Sequence, residues 1–126
     1  MKTSVNHIAL QYSDRKKAEI FFTDILGIPK IRSFTLSDQL SEKVFGIEKT
    51  IDVDVFDNES VRFEIFITDQ KNKPSFVHTC IEIDNKEEFI KICNKNGLDP
   101  YIVPKGDKEL LFVKDFSDNL YEVKEK

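Results

Sequence analysis

The chain has only two histidines, His7 and His78, and each falls early in an apolar, strand-like stretch. Two glutamates interrupt other apolar stretches. Glu64 sits inside Val61-Arg62-Phe63-Glu64-Ile65-Phe66-Ile67, and Glu122 inside Leu120-Tyr121-Glu122-Val123. Imidazole nitrogen and carboxylate oxygen together suit Zn, Ni, Co, Mn or Fe, and no thiolate draws the set toward a soft metal. Four such ligands leave one or two coordination positions open to water or substrate. A catalytic ion needs that opening and a structural zinc lacks it. Taken singly, a histidine in a strand is more often a hydrogen-bonded structural residue, and a glutamate there an edge residue. Their matched placement in two halves of the chain is what sets the four apart.

The elements that must carry them follow from periodicity. Val5 to Tyr12 alternates as a strand, and Ser13-Asp14 offers a helix N-cap. Ala18, Phe21, Phe22, Ile25 and Leu26 then recur at helical spacing from Arg15 to Leu26, and Gly27 with Pro29 stops the helix. A short strand is expected over Ile31 to Leu36, and a short helix or ordered loop over Ser37 to Phe45, closed by Gly46. The charged segment from Ser37 to Lys49 reads as a lid or a dimer contact. Ile51–Phe56 and Val61–Ile67 form a hairpin around Asp57-Asn58-Glu59. Polar Asp69 to Ser75, with Pro74, is a linker. The second half repeats the plan: a strand over Phe76 to Ile83, a helix over Glu88 to Asn96 ended by Gly97, and strands at Tyr101–Val103, Leu110–Val113 and Leu120–Val123.

The fold class expected is therefore α+β: two β-α-β-β-β modules, residues 1–69 and 74–126, forming a cupped mixed sheet with helices on the outer face. Strand parity sharpens the chemistry. His7 shares a face with Val5, Ala9 and Gln11, away from Ile8 and Leu10. Glu64 shares one with Arg62 and Phe66, and His78 with Phe76 and Cys80, opposite Val77, Ile81 and Ile83. All four polar residues are expected on the face away from the helices.

The pattern resembles the vicinal-oxygen-chelate superfamily, which includes glyoxalases, bleomycin-resistance proteins and extradiol dioxygenases. Asn6-His7-Ile8-Ala9-Leu10, leading into Ala18-Glu19-Ile20-Phe21-Phe22-Thr23-Asp24-Ile25-Leu26-Gly27, carries the likeness. So do Phe63-Glu64-Ile65-Phe66, His78-Thr79-Cys80-Ile81-Glu82-Ile83 and Asp118-Asn119-Leu120-Tyr121-Glu122-Val123. The resemblance implies one divalent metal held by His7, Glu64, His78 and Glu122. It implies a glyoxalase-like lyase or isomerase acting on a small α-oxo or hydroxy-acyl compound through a metal-stabilised enediolate, with Glu122 as base and Glu64 as its partner. Gln11, Arg62, Phe66 and Phe76 are the candidate substrate-binding residues, by parity and, for Arg62, by charge. The alternatives are a drug-sequestering binding protein without chemistry and an Fe(II) extradiol-type dioxygenase. A homodimer is implied. The family often has Asp-Pro-Asp-Gly-Asn before its last strand. Here the stretch is Asp115-Phe116-Ser117-Asp118-Asn119, and Asp and Asn can supply the left-handed turn. Gln11 and Thr68 stand where glutathione-using glyoxalases carry Arg and Asn, so glutathione does not carry over.

Length and composition agree with this reading. The 126 residues suit one globular domain. With 40% hydrophobic and 33% charged residues, disorder and fibrous classes are excluded. Net charge is −4 with no basic run, so nucleic acid is not an expected partner. No apolar run approaches a membrane span or a signal peptide, and a cytoplasmic location is expected. Cys80 and Cys93 are expected as reduced core residues.

Overall fold

The computed structural model describes residues 1–126. Strands β1 (Ile8–Tyr12), β2 (Lys30–Leu36), β3 (Ile51–Asp57) and β4 (Arg62–Ile67) make one four-stranded sheet in the order β1-β4-β3-β2. Strands β5 (Thr79–Ile83), β6 (Tyr101–Lys105), β7 (Lys108–Lys114) and β8 (Leu120–Glu125) make a second in the order β5-β8-β7-β6. Each sheet pairs its first and last strands in parallel and the others antiparallel. The helices are α1 (Arg15–Glu19), α2 (Asp38–Phe45) and α3 (Lys86–Lys95). The chain divides into two compact units, Met1–Gln70 and Lys71–Lys126. The α+β class and its doubled β-α-β-β-β plan are as the sequence indicates.

In the first unit, Asp14 caps α1 by accepting a hydrogen bond from Lys17 N at 3.2 Å. The helix expected to run to Leu26 instead widens into a π-helix over Ile20–Ile25. An α-helix turns consecutive residues about 100° apart, and the wider π turn reduces that angle. Phe21 and Phe22 are both fully buried. Phe22 packs within 5.0–5.8 Å, centroid to centroid, of Tyr12, Phe21, Phe56 and Phe63. A buried carboxylate, Asp54, ties the outer elements together. It accepts from Arg15 Nε at 2.9 Å and Ser33 Oγ at 2.7 Å, with Lys30 Nζ at 3.7 Å. Ser37 caps α2, and Gly46 ends it at φ 72°, a left-handed conformation that favours glycine.

The second unit has a smaller apolar core: Phe89, Cys93, Leu98, Leu111, Val113, Tyr121 and Val123. A buried polar turn completes it. Asp115 accepts hydrogen bonds from Ser117 N at 2.9 Å, Asn119 N at 3.0 Å, Asn119 Nδ2 at 3.0 Å and Tyr121 OH at 2.8 Å. Asp118 takes φ 63°, so an aspartate does supply the left-handed residue of this turn. Asn72, from the stretch expected as a linker, donates to Asn119 Oδ1 at 2.7 Å. Cys93 is buried as expected. Cys80 is exposed, because parity puts it on the sheet face opposite the helix; both thiols are free. No helix is long and apolar enough to cross a membrane.

Candidate metal centre

The two histidines are not inside their strands. His7 immediately precedes β1 and His78 immediately precedes β5, since strand pairing begins only at Ile8↔Phe63 and Thr79↔Tyr121. The face is nevertheless the expected one. In the first unit Glu64 is in register with Ala9, two residues after His7. In the second, Glu122 is in register with Cys80, two residues after His78. The same offset on the same parallel pair gives each unit one His–Glu pair. His7 Nε2 lies 3.5 Å from Glu64 Oε1, and His78 Nε2 lies 3.8 Å from Glu122 Oε1.

The second ring nitrogen of each histidine is also engaged. His7 Nδ1 is 2.8 Å from Asn6 Oδ1, and His78 Nδ1 is 2.9 Å from the Phe76 carbonyl oxygen. Both partners are acceptors, so Nδ1–H donates and a neutral ring keeps its lone pair on Nε2. That lone pair faces a carboxylate oxygen. The side chains of Glu64 and Glu122 are only 15% and 19% exposed, and neither accepts a hydrogen bond from a protein donor. Two electron-rich atoms facing each other at this range are stabilised by a positive charge, either a proton on the ring or a metal ion beside the pair. Ligands on one ion at about 2.0–2.2 Å stand roughly 2.8–3.8 Å apart across angles of about 90–120°. The first pair falls within that spacing and the second at its upper end. Within each unit the donor chemistry and the oriented imidazole suit a divalent metal. The structure shows two separate His–Glu pairs and no group of three or more His, Cys, Asp or Glu side chains placed to hold a metal ion.

Cys80 is not a nucleophile activated by this neighbourhood. Burial and then the Glu122 charge push its thiol pKa up, which disfavours the thiolate.

The other candidates separate. Gln11 and Phe66 line a cavity of about 400 Å³ in the first unit, on the face that carries Glu64. Arg62 turns to Asp57, its Nε donating to Oδ2 at 2.7 Å, and the two line a separate cleft with His7. Phe76 is fully exposed. Sequence reasoning did not single out Asn6 or the Phe76 carbonyl as the groups that orient the histidines. An amide next to a histidine is the only signal, and a backbone acceptor leaves none. The segment 37–49, read as a lid or dimer contact, supplies Ser41, Phe45, Ile47 and Lys49 to the wall of the first-unit cavity.

No protein-family model matches the chain, and no curated protein matches it. Solved structures do. The genomically encoded fosfomycin resistance protein FosX from Listeria monocytogenes, in its hexagonal form, matches with TM-score 0.75 at 17% identity, over 100% of this chain and 95% of that one. A mutant of that protein complexed with Mn(II) and 1S,2S-dihydroxypropylphosphonic acid matches with TM-score 0.75 at 18% identity, over 98% and 90%. The glyoxalase family protein from Enterococcus faecalis matches with TM-score 0.71 at 22% identity, over 95% of each chain. At these identities the likeness is one of fold.

Proposed function

We propose that this chain is a divalent-metal-dependent enzyme, a glyoxalase-like lyase or isomerase acting on a small α-oxo or hydroxy-acyl compound. The observation that carries the reading is the repeated His–Glu pair, with each imidazole held by Nδ1 so that Nε2 faces a carboxylate without a proton donor. His7, Glu64, His78 and Glu122 are the ligands. A divalent ion held there, Zn, Ni, Co, Mn or Fe, supplies Lewis-acid polarisation of neighbouring substrate oxygens. The protein's own groups supply the rest. Asn6 and the Phe76 carbonyl fix the ring orientations, as outer-shell partners of metal-binding histidines do. Glu122 takes a carbon-bound proton as general base, and Glu64 is its partner carboxylate. Gln11 and Phe66 bound the space beside Glu64, where substrate is held. The protein acts as a homodimer; exposed Tyr101, Ile102 and Val103 on the outer strand β6 support an apolar contact between copies.

The test is proton exchange. Metal-loaded protein is incubated in deuterium oxide with small α-hydroxy ketones and with thiol hemithioacetals of α-oxo aldehydes, and the proton next to the carbonyl is followed by NMR. The wild type should exchange it, and Glu122→Gln should slow exchange by about 10²-fold or more. A protein that holds metal but exchanges no member of the panel would overturn the lyase or isomerase reading and leave a metal-retaining binding protein.

A further inference from the structure

Ser41 is the one polar side chain in α2 that is withdrawn from water. It is 2% exposed, and its hydroxyl has no hydrogen-bond partner. Leaving a buried hydroxyl unpaired is costly, and native proteins seldom do so without a reason. Ser41 lines the cavity of about 400 Å³ in the first unit. That volume is within the range of small-molecule sites. The cavity's walls are mainly apolar, with Ala9, Phe45, Ile47, Ile51 and Phe66 contributing. Phe45 from α2 meets Phe66 from β4 edge to face, with centroids 5.6 Å apart, so the helix is stacked against the strand that carries Glu64. Phe66 follows Glu64 by two residues on the same face, a step of about 7 Å along a strand.

The charge at this cavity is balanced. Its one cation, Lys49, has Asp69 beside it at 3.6 Å, and both line the cavity. Gln11 and Thr68 are turned to each other, with Thr68 Oγ1 3.4 Å from Gln11 Oε1. An anionic group entering here meets no unopposed positive charge. The Mn(II) complex of the Listeria fosfomycin resistance protein holds a phosphonic acid, a ligand of the opposite character.

We propose that this cavity takes an uncharged, largely apolar group, an aryl or branched alkyl body, bearing a carbonyl or hydroxyl oxygen that pairs with Ser41 Oγ. Ser41 is then a specificity residue. As the place where the body of the substrate sits, the cavity rests on the function proposed above; as a binding site of this chemistry it stands alone.

The experiment uses metal-free protein, so that failure here and failure of the metal reading are distinguishable. Acetophenone, toluene and phenylphosphonate are titrated while amide shifts are followed by NMR. Acetophenone should shift Ala9, Gln11, Phe66 and Thr68, and phenylphosphonate should bind at least tenfold more weakly. Ser41→Ala should lower acetophenone affinity about tenfold and leave toluene affinity unchanged. The same variant should melt no lower than the wild type, because it removes an unpaired buried hydroxyl. Unchanged acetophenone affinity in Ser41→Ala, shifts confined to residues outside the cavity, or a preference for phenylphosphonate would each overturn the proposal. Ser41→Thr keeps the hydroxyl and should retain acetophenone binding better than Ser41→Ala. Equal loss in both variants would point to packing instead and would also overturn it.

Discussion

The two units follow one strand order and hold it by different physics. The first gathers Tyr12, Phe21, Phe56 and Phe63 around Phe22. The second has no such cluster of rings and instead buries a carboxylate, Asp115, among four donor groups at the entry to β8. Yet both deliver a histidine two residues ahead of the position in register with a glutamate. The topology tolerates either an aromatic or a hydrogen-bonded interior, and what the halves share most closely is the chemical pair. Shared topology alone does not require a histidine and a glutamate, which is why their repetition argues for function.

The comparison is broken most forcefully at its aromatic centre. Phe22→Ala should cost about 4 kcal/mol in equilibrium unfolding, since a ring touching four others leaves a cavity that cannot collapse fully. Phe89→Ala in the second unit, where no ring cluster surrounds the site, should cost about 3 kcal/mol or less. An equal or larger loss at Phe89 would contradict the contrast.

The next effect is electrostatic and differs in sign between the units. Burial pushes the Asp115 carboxyl above its ordinary value, against the donors that favour the anion. Its proton is then held more tightly in the folded state. The stabilising contribution is full below the ordinary value near 3.8 and is lost as pH rises through the raised one. In the first unit the backbone N–H of Glu59 and then Arg62 hold Asp57 below its ordinary value. That contribution is full above about 3.8 and is lost as pH falls through the lowered value. Between pH 3 and 6, the stability of the wild type relative to Asp57→Asn should rise with pH. Relative to Asp115→Asn it should fall. Slopes of the same sign would remove this difference.

The smallest effects belong to the caps. Ser37 accepts from Leu40 N at 3.1 Å, and Asn85 accepts from Glu88 N at 3.0 Å. Ser37→Ala and Asn85→Ala should each cost about 1 kcal/mol. They should be alike in denaturation, while Ser37→Ala alone should weaken acetophenone binding, because α2 walls the first-unit cavity.

Much of this was legible in the sequence because side-chain alternation survives errors in element boundaries. Parity placed His7 with Glu64 and His78 with Glu122 even though the histidines lie just outside the strands. Where strand pairing starts depends on the register with β4 and β8, a property of two segments that neither states alone. The π-helix at Ile20–Ile25 was hidden for a similar reason. Phe21 and Phe22 look helical by spacing, and the hydrogen-bond shift that buries both is decided by the sheet beneath them. Cys80 was read as a core residue from its type, although its parity with His78 already pointed to the open face. Ser41 leaves no mark in sequence, since an unpaired hydroxyl is defined by what fails to surround it.

The central claim, that the paired histidines and glutamates hold a metal, is tested most directly by elemental analysis of untagged protein, purified without chelator and loaded with Mn(II). The account predicts about one ion per chain in the wild type, falling to roughly a tenth or less in both His7→Ala and His78→Ala. A wild type that retains no ion, or either variant keeping the wild-type content, would contradict it.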